Sequence, residues 1–237
     1  MPAGQWDRSA LWVASYTQIL QDYLAPRARS LISDRLARAW WTSALFKDPL
    51  FGRVFKLESG LELRWCAKFD ERFDQFWSEL EEQRGDVLLL DRSRQALEWH
   101  YKYALAAGRI WILTVCDGPR LVAYAIFERK EGQRVDFPKL VLVDYQSLVK
   151  EEELKHEELP RAVISCALKR CRKASVPVLE NVGCWLGALH PAAKRARFHR
   201  TFGGWSYLYQ TSSPELASAL QAPETWYPTQ YDADASL

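Results

Sequence analysis

The stretch 108–131, GRIWILTVCDGPRLVAYAIFERKE, constrains this chain more than any other. Two apolar runs, Ile110 to Cys116 and Leu121 to Arg129, flank the tight link Asp117-Gly118-Pro119. Runs of this kind on either side of a Gly-containing turn predict an antiparallel hairpin. A third apolar run lies in FPKLVLVDYQSLV and predicts a strand from about Lys139 to Tyr145. Three strands in succession make a meander, and no catalytic signature sits within them.

The flanking segments alternate helix and strand signals. In FDERFDQFWSELEEQRGD, Phe73, Phe76, Trp77 and Leu80 share one face of a predicted helix that Asp70 can cap and Gly85 can stop. A buried strand is predicted over Val87 to Leu90. Ser93 then caps a second helix through Leu97, Tyr101 and Leu105, ending near Gly108. After the meander a charged loop, KEEELKHEEL, leads into a helix with Val163, Ile164, Ala167, Leu168 and Cys171 facing inward and Lys169, Arg170, Arg172 and Lys173 facing water. VPVLENVGCW reads as a further strand, and GGWSYLYQTS as a late one. Upstream, Leu61, Leu63, Trp65, Ala67 and Phe69 alternate behind Ser59-Gly60, so a hairpin with Val54 to Leu57 is predicted. Near the start, Trp12, Val13, Tyr16, Ile19, Leu20, Tyr23 and Leu24 recur at helical spacing up to Pro26, and Leu31, Ile32, Leu36, Ala39 and Trp40 continue the stripe. The order is mixed α/β.

Composition removes whole classes of function. With 32 basic and 30 acidic side chains the formal charge is +2, so no global field recruits nucleic acid or anionic lipid. No apolar run approaches the roughly 20 residues of a membrane span. Five cysteines, Cys66, Cys116, Cys166, Cys171 and Cys184, form no CxxC pair and read as reduced thiols of a cytoplasmic protein rather than as a zinc site. Met1-Pro2-Ala3-Gly4-Gln5 lacks the basic and apolar regions of a secretory signal. No metal is expected, and no GxSxG, P-loop or dinucleotide fingerprint occurs.

Over roughly residues 70 to 210, the order of elements resembles the GNAT acetyltransferase superfamily. FDERFDQFWSEL, VLLLDRSRQALEWHY and ILTVCDGPRLVAYAIF are similar to the GNAT-like domain of bacterial polysaccharide-biosynthesis acyltransferases, with Arg92, Leu97, Trp99 and Tyr101 on that group's pattern and His100 where an Arg is usual. The resemblance implies a mixed central sheet flanked by helices over 51–237, behind a helical N-terminal extension over 1–50. It implies an acyl-CoA donor whose thioester meets backbone amides of LVLVDYQ, around Val143 and Tyr145, with Asp144 as base and His199 as acid. Arg92, Trp99, Tyr101, Arg195, Arg197 and Arg200 are the candidate contacts to an anionic part of donor or acceptor, the last three forming, with His199, a basic helix in KRARFHR.

One segment departs from that pattern. A donor pyrophosphate is held by a Gly-rich loop at a helix N-terminus, where exposed N–H groups and close backbone approach suit phosphate. Here the loop has no glycine and carries Glu151, Glu152, Glu153, Glu157 and Glu158, whose charge repels phosphate. Three functions therefore stand open: an acyltransferase acting on a small-molecule or glycan acceptor; a GNAT-like interaction domain without donor binding, docking a protein partner through its N-terminal helices; and an aminoacyl-tRNA-dependent transferase using the basic cluster.

Overall fold

The computed structural model describes residues 8–15, 18–19, 60–85, 87–131, 138–149, 155–181, 198–201, 211–222 and 229–232. Seven strands form one sheet: β1 (Arg8–Val13), β2 (Leu61–Cys66), β3 (Ile110–Asp117), β4 (Arg120–Lys130), β5 (Lys139–Ser147), β6 (Val178–Asn181) and β7 (Phe198–Thr201), in the spatial order β2-β3-β4-β5-β6-β1-β7. Every pairing is antiparallel except β5 with β6. That parallel pair is joined through helix α4 (Lys155–Lys173), as a parallel crossover requires. Meander and crossover stand in the order that the GNAT resemblance implies.

The hairpin forms as its turn chemistry predicts. Asp117 pairs with Arg120 across Gly118-Pro119, and Gly118 takes φ +56, a left-handed geometry that glycine adopts without steric penalty. Helix α1 (Arg72–Gln83) buries Phe73, Phe76, Trp77 and Leu80, the predicted stripe. Asp70 accepts from the Arg72 backbone N–H and pairs with its guanidinium, while Glu71 occupies the cap position. Ser93 Oγ accepts from the Ala96 N–H and starts α2 (Arg94–His100). The single helix predicted through Leu105 is instead broken at Tyr101, where α3 (Lys102–Ala106) begins.

Two apolar layers enclose the sheet. On one face, Leu159, Val163, Ile164, Ala167, Leu168 and Cys171 of α4 meet Leu113, Ala125, Phe127, Leu140 and Leu142. On the other, the α1 stripe, Leu97 and Tyr101 meet Ile112, Tyr124, Ile126, Val141 and Val143. Each large apolar side chain buried this way contributes about 1.5–3 kcal/mol. At the sheet's β2 edge, the Arg170 guanidinium lies 4.3 Å from the Trp65 ring centroid and 4.4 Å from that of Trp111, closing α4 over the meander. Among the described residues no helix is long and apolar enough to cross a membrane.

Three expectations are corrected. Residues 8–13 are not helical: β1 inserts between β6 and β7, pairing Trp12 with Leu179 and Ala10 with His199. Trp12, Val13 and Ala14 are all buried, Trp12 and Ala14 in the α4-side layer, so strand pairing with β6 and β7 overrides a stripe that also fits a helix. Val87 to Leu90 is not a buried strand; Leu88 and Leu90 are exposed, and the segment instead delivers Arg92 to the interior. His199 and Arg200, expected on a basic helix, lie in β7, held by pairing with β1. The predicted strand over Val54 to Leu57, the late strand through Tyr209, Arg195, Arg197, Cys184 and, apart from 14–15 and a helical turn at 18–19, the rest of the N-terminal extension lie outside the described residues. The structure adds α5 (Pro214–Gln221) and a 3-10 turn, Gln230–Asp232, in a stretch without sequence periodicity.

Candidate functional site

The site begins with a bulge. Between β4 and β5 the register passes from Phe127↔Leu142 to Ile126↔Asp144, so Val143 is an extra residue. A bulge bends its strand and turns consecutive side chains the same way. Without it, alternation would send Asp144 toward α4. With it, Asp144 joins Val143 on the α1–α2 face, where Tyr124 Oη donates to Asp144 Oδ2 at 2.8 Å.

Asp144 is fully buried, and its carboxylate is fully engaged. Arg92 Nε donates to Oδ2 at 3.2 Å and Thr229 Oγ1 donates to Oδ1 at 3.0 Å. Arg92, also fully buried, turns Nη2 outward to Asp232 at 2.7 and 2.9 Å and gives Nη1 to the Leu90 carbonyl at 2.9 Å. Tyr231 lies with its ring 4.7 Å from the Arg92 guanidinium carbon and its hydroxyl donating to the Asp91 carbonyl at 2.6 Å. His100 stacks against Tyr231 and Tyr101, at 4.5 and 4.7 Å between ring centroids. The 3-10 turn thus closes over a guanidinium held between two carboxylates.

Burial sets the electrostatics of this knot. It opposes charge on Arg92, but Asp144 and then Asp232 outweigh it and hold the guanidinium protonated. Asp232 is pushed above the usual carboxylate range by burial, against the pull of Arg92, because Asp144 shares the same guanidinium. Burial, with Asp144 adding to it, raises the phenols of Tyr101 and Tyr124, and burial lowers His100. Among the described residues, the Tyr101 hydroxyl and Gln230 Oε1 are buried with no hydrogen-bond partner.

Across the sheet, a second polar residue stands in a different condition. The parallel ladder runs from Lys139↔Val178 to Leu142↔Asn181, and β5 continues to Ser147 beyond it. Asn181 is the last described residue of that ladder, in register with the last β5 residue before the bulge. Leu179, two positions earlier, belongs to the α4-side layer, so Asn181 points to that face. It is fully buried, and among the described residues neither Oδ1 nor Nδ2 has a partner. On the neighbouring strand Trp12 Nε1 is buried and has no partner among the described residues either. Leaving a buried donor or acceptor unmet costs about 1–3 kcal/mol, so these groups concentrate unmet hydrogen-bonding capacity on the α4 side of β6 and β1.

The residues expected to act together are dispersed. Arg92, Tyr101 and Asp144 do converge, as a closed polar knot. Val143 forms the bulge, and Tyr145 is buried in the α4-side layer, its phenol raised by burial. Trp99 is 77% exposed and so lines no enclosed site. His199 shares a row of the sheet with Leu142, Asn181 and Ala10, but β6 and β1 intervene, placing it roughly 14 Å from β5 by strand spacing. Sequence reasoning passed over Asn181, Thr229 and Asp232. The signal for Asn181 was weak, an amide next to the charged Glu180 in VPVLEN.

No family model matches the chain, and none of the curated proteins matches it. Solved structures similar to it include a predicted acetyltransferase with acetyl-CoA from Clostridium acetobutylicum, at 12% identity and TM-score 0.46, covering 63% of this chain and 96% of that one. An aminoglycoside acetyltransferase from an uncultured soil metagenomic sample, in complex with sisomicin, is similar at 10% identity and TM-score 0.46, over 65% and 100% of the two chains. A ribosomal-protein-alanine N-acetyltransferase from Brucella melitensis biovar Abortus 2308 is similar at 10% and 0.43, over 64% and 99%. Likeness this distant leaves the function to be argued from this chain's own residues.

Proposed function

We propose that the chain is a GNAT-type acyltransferase that takes a thioester donor along β5 beside Asn181 and passes the acyl group to an amine or hydroxyl on the α1–α2 face, a sugar hydroxyl included. The single observation that carries this reading is the Asn181 amide, buried in register with Leu142 and with neither atom partnered among the described residues. The pantetheine arm of an acyl-CoA carries secondary amides, each offering the C=O and the N–H that Nδ2 and Oδ1 lack. Trp12 Nε1 supplies a second donor on the same side, and the backbone of β5 past Leu142 runs alongside. The bulge at Val143 marks the crossing point, because there the strand's side chains turn from the donor face to the acceptor face.

In this reading Asp144 holds Arg92 and the acceptor wall in place. Transfer rests on positioning the two reactants, a contribution that reaches many orders of magnitude in rate. The glutamates of 151–158 oppose a diphosphate, so acetyl-pantetheine is expected to retain a larger share of the binding than it would where phosphates dominate. Calorimetric titration with acetyl-CoA and acetyl-pantetheine at low salt tests the proposal. Dissociation constants on the order of micromolar for both are expected. Absence of heat with either would overturn it and favour the second reading, an interaction domain, which the closure of the Asp144 side already supports.

A further inference from the structure

We propose that the outer side of Arg92 is a carboxylate-binding pocket, occupied in the structure by the chain's own Asp232, and that a carboxylate-bearing acceptor displaces the turn Gln230–Asp232 to reach it. The proposal rests on the acceptor-face reading above and names the chemistry that face would recognise.

Arg92 has two unequal sides. Its inner side, through Nε, is fixed to Asp144 within the sheet. Its outer side, through Nη2, meets both oxygens of Asp232 at 2.7 and 2.9 Å, from a segment far away in sequence. A planar guanidinium between two carboxylates presents ready-made recognition geometry for the outer one. The pocket is a built one: Arg92 is fully buried, Tyr231 lies over its guanidinium, and Thr229 orients Asp232 by donating its backbone N–H to Oδ2 at 2.6 Å.

The outer carboxylate is also poorly matched to permanent residence. Two acids share one guanidinium, leaving one negative charge in excess within a buried cluster. The seam carries two unmet polar atoms, Tyr101 Oη and Gln230 Oε1. Helix α5, on the chain leading to the turn, buries none of its side chains. The turn itself contributes one large buried ring, that of Tyr231, and otherwise polar attachments. Segments held mainly by such contacts open locally, ahead of the apolar core. An acceptor carboxylate seated in place of Asp232 would keep the salt bridge to Arg92 while freeing the face above Asp144.

The test is arginine labelling with phenylglyoxal, read residue by residue by mass spectrometry in the full chain. In Asp232→Ala, Arg92 should label at least tenfold faster than in the unsubstituted chain, while exposed Arg94 changes less than twofold. Glutarate at millimolar concentration should restore the protection, and sodium chloride of equal ionic strength should not. Unchanged labelling of Arg92, or faster labelling that glutarate leaves untouched, overturns the pocket. If the variant loosens throughout, hydrogen exchange on the unsubstituted chain decides. Amides of Tyr231 and Asp232 exchanging at least 100-fold faster than that of Leu142 support a displaceable turn, and equal rates overturn it. None of these measurements uses a thioester, so donor binding by calorimetry stands or fails separately.

Discussion

Asp144 and Asn181 are both fully buried polar residues, on adjacent strands and on opposite faces of one sheet, yet their surroundings differ completely. Asp144 accepts from Arg92, Tyr124 and Thr229, while among the described residues Asn181 has no partner for either amide atom. A charge taken into an apolar interior must be paired at once or the fold fails. A neutral amide can be left open at a bearable penalty of about 1–3 kcal/mol, and a fold retains that penalty where something else is to meet it. On the proposed reading, the contrast separates a polar group that holds the structure from one that a donor would meet.

The largest expected effect breaks the first half of this contrast. Asp144→Ala leaves Arg92 buried with only the outer carboxylate, and should lower stability by about 3–5 kcal/mol in denaturant titration. A loss under about 1 kcal/mol would mean that solvent reaches Arg92. Next comes Asn181→Leu, which exchanges an unmet amide for an apolar side chain of similar size. It should be neutral or stabilising by up to about 1–3 kcal/mol while abolishing donor binding. A clear destabilisation would show the amide to be paired within the fold.

Docking of the turn Gln230–Asp232 should depend on pH, with a sign fixed by burial. Asp232 has a folded value raised above its unfolded one, so its contribution is full below the unfolded value and is lost as pH rises through the folded value. His100, lowered by burial, acts oppositely, contributing above its unfolded value and losing it as pH falls through the histidine range. Asp144 faces the same cluster, and Arg92, Tyr101, Tyr124 and Tyr231, whose values are all raised, stay in one charge state near neutrality. Asp232→Asn should remove the rising-pH loss and His100→Gln the falling-pH loss, each read from stability against pH. Slopes that persist in both variants would place the titration elsewhere. The smallest effect is expected outside the contrast. Arg120 and Glu79 form an ion pair at the surface, and Arg120→Ala should change stability by less than about 1 kcal/mol.

The meander and the two helix stripes were legible in sequence because local pattern and tertiary role coincide there: Phe73, Phe76 and Leu80 need burial at helical spacing and obtain it. Trp12 was misread because a short apolar run fits two periods, and only pairing with β6 and β7 decides between them. Arg92, Asp144 and Tyr101 were singled out, but as an open site. Their closure depends on Thr229 and Asp232, more than eighty residues beyond Asp144, in a stretch whose composition carries no periodic signal. Asn181 required knowing that β6 pairs with β5 and that its amide, buried there, meets no partner among the described residues, which no local pattern reveals.

Asn181 is the single asparagine among the 237 residues, which makes the most direct measurement simple. Selective labelling of asparagine with nitrogen-15 gives one side-chain amide pair in a proton–nitrogen correlation spectrum. The account predicts that this pair moves, and that its exchange with solvent slows, when acetyl-pantetheine is added. A spectrum in which the donor binds by calorimetry yet the Asn181 amide stays unmoved would contradict the assignment of the donor site to β5 beside Asn181.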